Sequence, residues 1–111
     1  MYHIAVVRKF EAFDQATINE EFLALTRADF RDLTHAMAQY QRGEESGYIV
    51  KNYGDGLMMI KGNRQGRCLW FSTDRIEDGI QVLTALLVYK KETMRVPDRI
   101  LQTARERMGR R

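Results

Sequence analysis

Residues 57–88, LMMIKGNRQGRCLWFSTDRIEDGIQVLTALLV, decide the fold class of this chain. Leu57–Lys61 and Arg67–Ser72 are both rich in apolar residues. The segment between them, Gly62–Gly66, has glycine at both ends, which is typical of a turn. Two apolar runs joined by a short glycine-containing turn predict a β-hairpin.

The second half of this stretch predicts a third strand. A charged turn ends at Asp78-Gly79, and Ile80–Val88 is nearly all apolar, which is typical of a central strand covered on both faces. Pro97 then favours the first turn of a last helix, where its missing N–H costs nothing. The apolar side of that helix is formed by Ile100, Leu101, Ala104 and Met108.

The N-terminal part predicts one strand and two helices. Tyr2–Arg8 is rich in β-branched residues and indicates the strand. Thr17 followed by Glu20 has the form of a capping box, which predicts the start of a first helix. A second helix is expected to start at Thr26 and to stop near Gly43.

Together these elements predict an α+β protein. The stretch from Gly43 to Gly56 is polar and turn-rich, with Tyr48–Val50 as a short extended piece at most. The expected order is β-α-α-β-β-β-α: an antiparallel sheet with an N-terminal helical hairpin and a C-terminal helix. With no repeat or linker, we expect a single domain over residues 1–111.

Composition excludes several classes of protein. No window approaches the ~18 uninterrupted apolar residues of a membrane helix, and no secretory signal is visible at the start. Cys68 is the only cysteine, so neither an internal disulfide nor a cysteine-based zinc cluster is expected. No carboxylate cluster has metal-ligand spacing, and the glycines match no cofactor motif. We therefore expect a cytoplasmic protein without metal, cofactor or membrane association.

The charge is distributed unevenly along the chain. Residues 1–55 hold six Lys/Arg and nine Asp/Glu, a net charge of −3, whereas residues 56–111 hold twelve and six, a net charge of +6. A basic half on a small domain indicates a polyanionic partner such as a nucleic acid, although a merely solubilising surface explains the same charge.

The C-terminal half also resembles a known family. Its pattern consists of Gly54-Asp55-Gly56-Leu57, the stretch from Arg64 to Phe71, Tyr89–Pro97, and Ala104-Arg105 in the last helix. In order and spacing these segments resemble the phage-derived, HigB-like branch of the RelE/ParE superfamily of toxins. The Phe22–Leu25 segment resembles the first helix of that family, so the resemblance covers roughly residues 17 to 108.

The resemblance implies a toxin of a type II toxin–antitoxin system. Such a toxin is a ribosome-dependent, metal-independent mRNA endoribonuclease that enters the ribosomal A site and inhibits translation. Its partners would be the ribosome, mRNA and a cognate antitoxin, often of the helix-turn-helix type. Two alternatives stay open: a ParE-like inhibitor of DNA gyrase, and a non-catalytic RNA- or ribosome-binding prophage remnant.

Metal-free RNA cleavage needs a base for the 2′-hydroxyl, cations for the phosphorane and an acid for the leaving 5′-oxygen. Histidine is the usual choice, but His3 and His35 both lie outside the basic half. Arginine, lysine and tyrosine remain. Arg67 is the first choice, because it matches the strand arginine of the family and can bind a phosphate in bidentate fashion. We expect Lys61 to lie near Arg67 across the hairpin, where clustered cations depress the pKa of a lysine.

The remaining site predictions lie around this pair. Lys91 and Glu92 are expected in the catalytic site, Glu92 either as a general base beside Arg67 or as a charge that repels RNA. The expected RNA-binding residues are Arg64, Tyr89 and Arg95. Tyr89 can stack on a base or move a proton, although the end of an apolar strand is also typical of core.

The chain departs from the family pattern at three positions. Met59 stands where the family often has an acidic residue, Glu92 replaces a lysine, and Leu87 replaces a histidine near the end of the apolar strand. These departures leave room for a weakened toxin or for a different target.

Overall fold

The three strands that the middle of the sequence predicts lie at the centre of a mixed five-stranded sheet. A computed structural model of the protein describes residues 7–109. In chain order, its elements are β1 (Arg8–Ala12), α1 (Gln15–Leu23), α2 (Arg27–Gln41), β2 (Ile49–Asn52), β3 (Met58–Lys61), β4 (Gly66–Glu77), β5 (Ile80–Lys90) and α3 (Asp98–Gly109). The protein is therefore α+β, as predicted.

The topology differs from the prediction in two respects. The strand order is β1-β5-β4-β3-β2, so the sheet has five strands rather than four, the extra one being the short edge strand β2. The expectation of an antiparallel sheet was wrong for β1, which pairs parallel to β5 with Arg8 opposite Gln81. This pairing joins the two ends of a long stretch of chain, so no local turn indicates its direction.

Within the described residues, the first strand shares only Arg8 with the predicted strand Tyr2–Arg8. Residues 2–6 of the expected strand lie outside the described residues, and β1 begins only at Arg8. Along β1, exposed Lys9 and Glu11 alternate with the partly buried Phe10 and Ala12. This alternation is typical of a strand with one face towards solvent. The β-branched residues on which the prediction was based lie before this strand.

Helix α2 starts where the sequence predicts, but α1 does not. Thr26 caps α2, and its Oγ1 accepts a hydrogen bond from the amide of Asp29 at 3.1 Å. The capping residue of α1 is Asp14 rather than Thr17, because the Asp14 carboxylate accepts both the amide (3.0 Å) and the hydroxyl (2.6 Å) of Thr17. The threonine is thus a partner of the cap and lies one turn inside the helix.

The long β4–β5 hairpin is closed by only two residues. Asp78 and Gly79 have φ angles of 53° and 78°, as a two-residue turn with both central residues in the left-handed region requires. The charged segment before them, Thr73–Glu77, belongs to β4 and not to the turn. The hairpin therefore reaches further out than the sequence analysis predicted.

The sheet separates two apolar cores. On one face, Ile18 of α1 and Leu33 and Met37 of α2 pack against residues of β3, β4 and β5, among them Trp70. On the other face, α3 covers a second core through Ala104, Ile100, Leu101 and Met108. The sheet contributes Met59, Leu69, Phe71, Leu86 and Leu87 to this second core, and Leu57, directly before β3, also belongs to it.

Among residues 7–109, none of the helices is long and apolar enough to cross a membrane.

Candidate functional site

Three of the predicted site residues form one row across three strands. Lys61 of β3 lies directly opposite Arg67 of β4, and Arg67 lies opposite Tyr89 of β5. Residues two apart on a strand share a face, and Met59 and Leu69, two positions further along, belong to the core beneath α3. The row therefore lies on the α3 face, at the end of the sheet that carries the β3–β4 turn.

Arg67 is a buried cation without a carboxylate partner. It is 5% exposed, and its Nη1 donates hydrogen bonds to the carbonyl oxygens of Arg64 (2.6 Å) and Gly66 (3.0 Å). No ion pair within residues 7–109 includes Arg67. Keeping a charge out of water is costly unless it is paired. Arg67 therefore carries a positive charge that no carboxylate among residues 7–109 neutralises, and this charge attracts anions towards the row.

The turn that holds Arg67 is itself held by helix α2. The Asp32 carboxylate accepts hydrogen bonds from the amides of Asn63 (3.0 Å) and Arg64 (2.9 Å). Gly62 lies so close that a Cβ there would come within 2.6 Å of Asp32 Oδ2. These contacts orient the Arg64 carbonyl that receives Arg67. Asp32 therefore positions the guanidinium without being part of the row.

Arg64 itself is directed towards α2. Its Nε donates to Asp29 Oδ1 at 3.1 Å, and the side chain stays half-exposed. Burial of Asp29 raises the pKa of its carboxyl, but hydrogen bonds from Thr26, Gln65 and Arg64 outweigh that effect and hold the pKa below its usual value. Arg64 thus contributes its carbonyl to the Arg67 site and its guanidinium to the turn. Its predicted contact with RNA stays a prediction.

Lys61 lies in a cluster of cations. Its pKa is lowered by burial first, then by the charges of Arg67, Lys51 and Lys91, and only Asp32 acts in the opposite direction. The backbone amide of Lys91 donates to the Gln65 carbonyl at 2.8 Å, which places Lys91 beside the β3–β4 turn. A lowered pKa increases the fraction of neutral amine, the form that can accept a proton.

Tyr89 completes the row at its other end. It is half-buried and packs against the core beneath α3. Burial raises its pKa to about 12, the neighbouring Tyr53 adds to the increase, and Arg67 opposes it. The hydroxyl is therefore protonated at neutral pH and can donate a hydrogen bond or a proton.

A cleft of about 420 Å³ lies between the edge of the sheet and the loop before α3. It is lined by Lys51, Tyr53, Met94, Arg95, Val96, Asp98 and Leu101. Arg95 was predicted as an RNA-binding residue, whereas Lys51 and Tyr53 were missed by the sequence analysis. Lys51 lies in β2 and Tyr53 directly follows it, and their spacing of two residues is the only signal in the sequence for a shared face.

The other ionisable residues considered from the sequence lie apart from the row. Glu92 is exposed in the loop after β5, and among residues 7–109 no hydrogen bond or ion pair joins it to Arg67. His35 is exposed on α2, on the other side of the sheet from α3, and His3 lies outside the described residues. In the described part of the chain, no group of three His, Cys, Asp or Glu residues could hold a metal ion.

The protein is thus a small α+β protein with a site on one face of its mixed sheet. This site consists of Lys61, Arg67 and Tyr89 and is called the cationic row below. Comparison of the sequence with protein-family models and with curated proteins gives no match.

Proposed function

We propose that this chain is the toxin of a type II toxin–antitoxin pair and acts as a ribosome-dependent mRNA endoribonuclease. The observation that carries the proposal is the row of Lys61, Arg67 and Tyr89, in which a buried arginine lies between a lysine and a tyrosine and has no carboxylate partner among residues 7–109. The sequence resemblance to HigB-like toxins supports the same function. So does the order of the elements, with two helices after the first strand and one helix after the last strand.

The row provides the groups that metal-free RNA cleavage needs. The 2′-oxygen of the substrate attacks the adjacent phosphorus and forms a 2′,3′-cyclic phosphate, while the bond from phosphorus to the 5′-oxygen breaks. The neutral amine of Lys61 takes the 2′-hydroxyl proton, and Tyr89 gives a proton to the departing 5′-oxygen. Arg67 holds the negative charge that develops on the non-bridging oxygens. Exchange with water then restores both protonation states.

One observation favours the non-catalytic alternative. With its pKa raised to about 12, Tyr89 is a weak acid at neutral pH, and efficient proton transfer favours a pKa near the working pH. A protein that only binds RNA needs the cations of the row but no such transfer. The two functions make opposite predictions about the integrity of mRNA.

Adding the purified chain to a translation extract and mapping mRNA 5′ ends tests the proposal. We expect new ends inside codons, and only while ribosomes translate. Because many phosphate contacts are involved, the effect should weaken steeply as salt increases. Lys90→Ala is the control, since Lys90 follows Tyr89 on β5 and therefore lies on the opposite face.

Two results would contradict the nuclease proposal. Intact mRNA with blocked protein synthesis would favour the non-catalytic ribosome-binding protein. Intact mRNA with normal synthesis, together with inhibited supercoiling by purified gyrase, would instead favour the ParE-like function.

The pH dependence of cleavage tests the role of Lys61. Because the neutral amine is the active form, the single-turnover rate on programmed ribosomes should rise with pH and level off below the ordinary lysine pKa of 10.5. In Lys61→Arg the charge is kept but the base is lost, so the rate should fall by about 10²–10⁴-fold and lose this pH dependence. An unchanged slope in Lys61→Arg would show that Lys61 does not take the proton.

A further inference from the structure

The cleft beside the cationic row has the chemistry of a nucleotide site. From the cleft residues we infer that it binds one unpaired base of a single-stranded RNA, next to the phosphate held by the row. This inference rests on the proposed function and adds a base-binding subsite to it. Tyr53 would stack on the base, and Met94 would cover it from the opposite wall.

The lining combines apolar walls with a cationic rim. Tyr53, Met94, Val96 and Leu101 offer one aromatic ring and three apolar side chains, whereas Lys51 and Arg95 add two positive charges. Single-stranded nucleic acids are bound by this combination, because the bases stack on aromatic rings while cations follow the backbone. Its volume of about 420 Å³ lies in the range of roughly 300–1,000 Å³ that is usual for small-molecule sites.

Met94 lines the cleft from the loop between β5 and α3. Its side chain is 95% exposed, the most exposed of the large apolar residues in the described part of the chain. A flexible thioether adapts to flat ligands of different shape and makes favourable contacts with aromatic rings. A base that stacked between Met94 and Tyr53 would cover the Met94 side chain.

The cleft lies near the cationic row, although none of the three row residues lines it. Lys51 lies opposite Met59, two positions before Lys61 on the same face of the sheet, and its charge lowers the pKa of Lys61. At the other end, Tyr53 is close enough to Tyr89 to raise its pKa. A phosphate on Arg67 therefore has its neighbouring nucleotide within reach of the cleft.

The charges of the cleft also orient the nucleotide. Asp98, at the start of α3, is the one carboxylate that lines the cleft, and Lys51 lies on the sheet side. A phosphate is repelled by the carboxylate and attracted by the lysine. The backbone should therefore follow the sheet, and the base should lie towards α3.

Binding of a short 5′-fluorescein-labelled 2′-O-methyl oligoribonucleotide, followed by anisotropy, tests the subsite without cleavage, because the attacking hydroxyl is blocked. The comparison probe is an abasic oligonucleotide of the same length and charge. We expect the wild-type chain to bind the base-bearing probe about tenfold more tightly than the abasic probe, as one stacked base contributes. Tyr53→Ala should abolish this difference, whereas Tyr53→Phe, which keeps the ring, should retain it.

Met94→Ala keeps the test independent of folding, since the side chain is exposed. We expect it to reduce the preference for the base-bearing probe about threefold, while the matched control Ile76→Ala, at another exposed apolar residue, leaves it unchanged. Equal affinity for both probes, no binding of either, or a preference that survives Tyr53→Ala would overturn the subsite. Loss of ribosome-dependent cleavage with the base preference intact would overturn only the nuclease proposal.

Discussion

Replacing Arg67 by methionine should abolish mRNA cleavage and leave the stability of the fold nearly unchanged. Cleavage should fall by about 10²–10³-fold, the usual cost of removing a group that stabilises developing charge. Stability should change by no more than about 1 kcal/mol. Among the described residues, the buried guanidinium has two carbonyl partners but no carboxylate, so the desolvation cost that methionine removes offsets the hydrogen bonds that are lost.

A structural arginine would behave in the opposite way. Breaking a stabilising buried interaction costs about 3–5 kcal/mol, which urea denaturation would detect. Arg67→Lys separates charge from geometry, because lysine keeps the charge but cannot bind a phosphate with two parallel N–H groups. We expect an intermediate activity for it. Arg75→Met is the matched control, since exposed Arg75 pairs with Glu11 and Glu77 away from the row.

Two outcomes for Arg67→Met would contradict its role in binding the phosphate. If Arg67→Met keeps its activity, or if it loses more than about 3 kcal/mol of stability, Arg67 supports the turn and does not bind the phosphate. Phosphate binding would then be expected of Lys61, Lys51 and Lys91, the other cations of the cluster.

Arg107→Ala should strongly destabilise the fold. Arg107 Nη1 donates to Glu21 Oε2 at 2.8 Å and to the Leu86 carbonyl at 2.9 Å, while Glu21 Oε1 accepts from the Val88 amide at 2.9 Å. Both side chains are mostly buried, at 16% and 22% exposure. The pairing of β5 with β1 ends at Ala85. The Glu21–Arg107 pair joins α1 and α3 beside the part of β5 that follows Ala85.

We expect the free energy of unfolding to fall by about 2–4 kcal/mol, somewhat less than the roughly 3–5 kcal/mol for a fully buried pair. For a domain of this size that corresponds to a decrease in Tm of roughly 10–20 °C. Urea denaturation of Arg107→Ala, of Glu21→Ala and of the double variant measures the coupling. Because Glu21→Ala also leaves the Val88 amide without its acceptor, it should cost at least as much.

Arg42→Ala is the control for this pair. Arg42 and Glu44 form an exposed ion pair at 3.2 Å, and such pairs contribute about 0–1 kcal/mol. If Arg107→Ala costs no more than Arg42→Ala, the Glu21–Arg107 pair does not hold the helices together, and apolar packing alone attaches α3.

The features that could be predicted from the sequence depend on neighbours in the chain. The cap at Thr26 needs an amide three residues away. The β3–β4 hairpin needs a short glycine-containing turn, and its closure brings Lys61 opposite Arg67, as expected. The periods of helices and strands and the preferences of turns act over a few residues, so a single sequence contains them.

The surroundings of the row could not be predicted in the same way. Lys51 and Tyr53 reach the site only because β2 joins the edge of the sheet, and a strand of four residues gives a weak signal. Asp32 meets Asn63 across 31 positions in the chain. No periodicity in the sequence indicates such a contact, because it depends on how α2 lies against the sheet.

The sequence by itself determined the α+β class, the central hairpin, the start of α2 and the pairing of Lys61 with Arg67, because each is local. Only the tertiary structure decided that β1 runs parallel to β5, that Glu21 and Arg107 meet across 86 positions, and that a cleft adjoins the cationic row. These features arise when distant segments bury their apolar faces together, and that packing brings together side chains whose separation in the chain gives no sign of their contact.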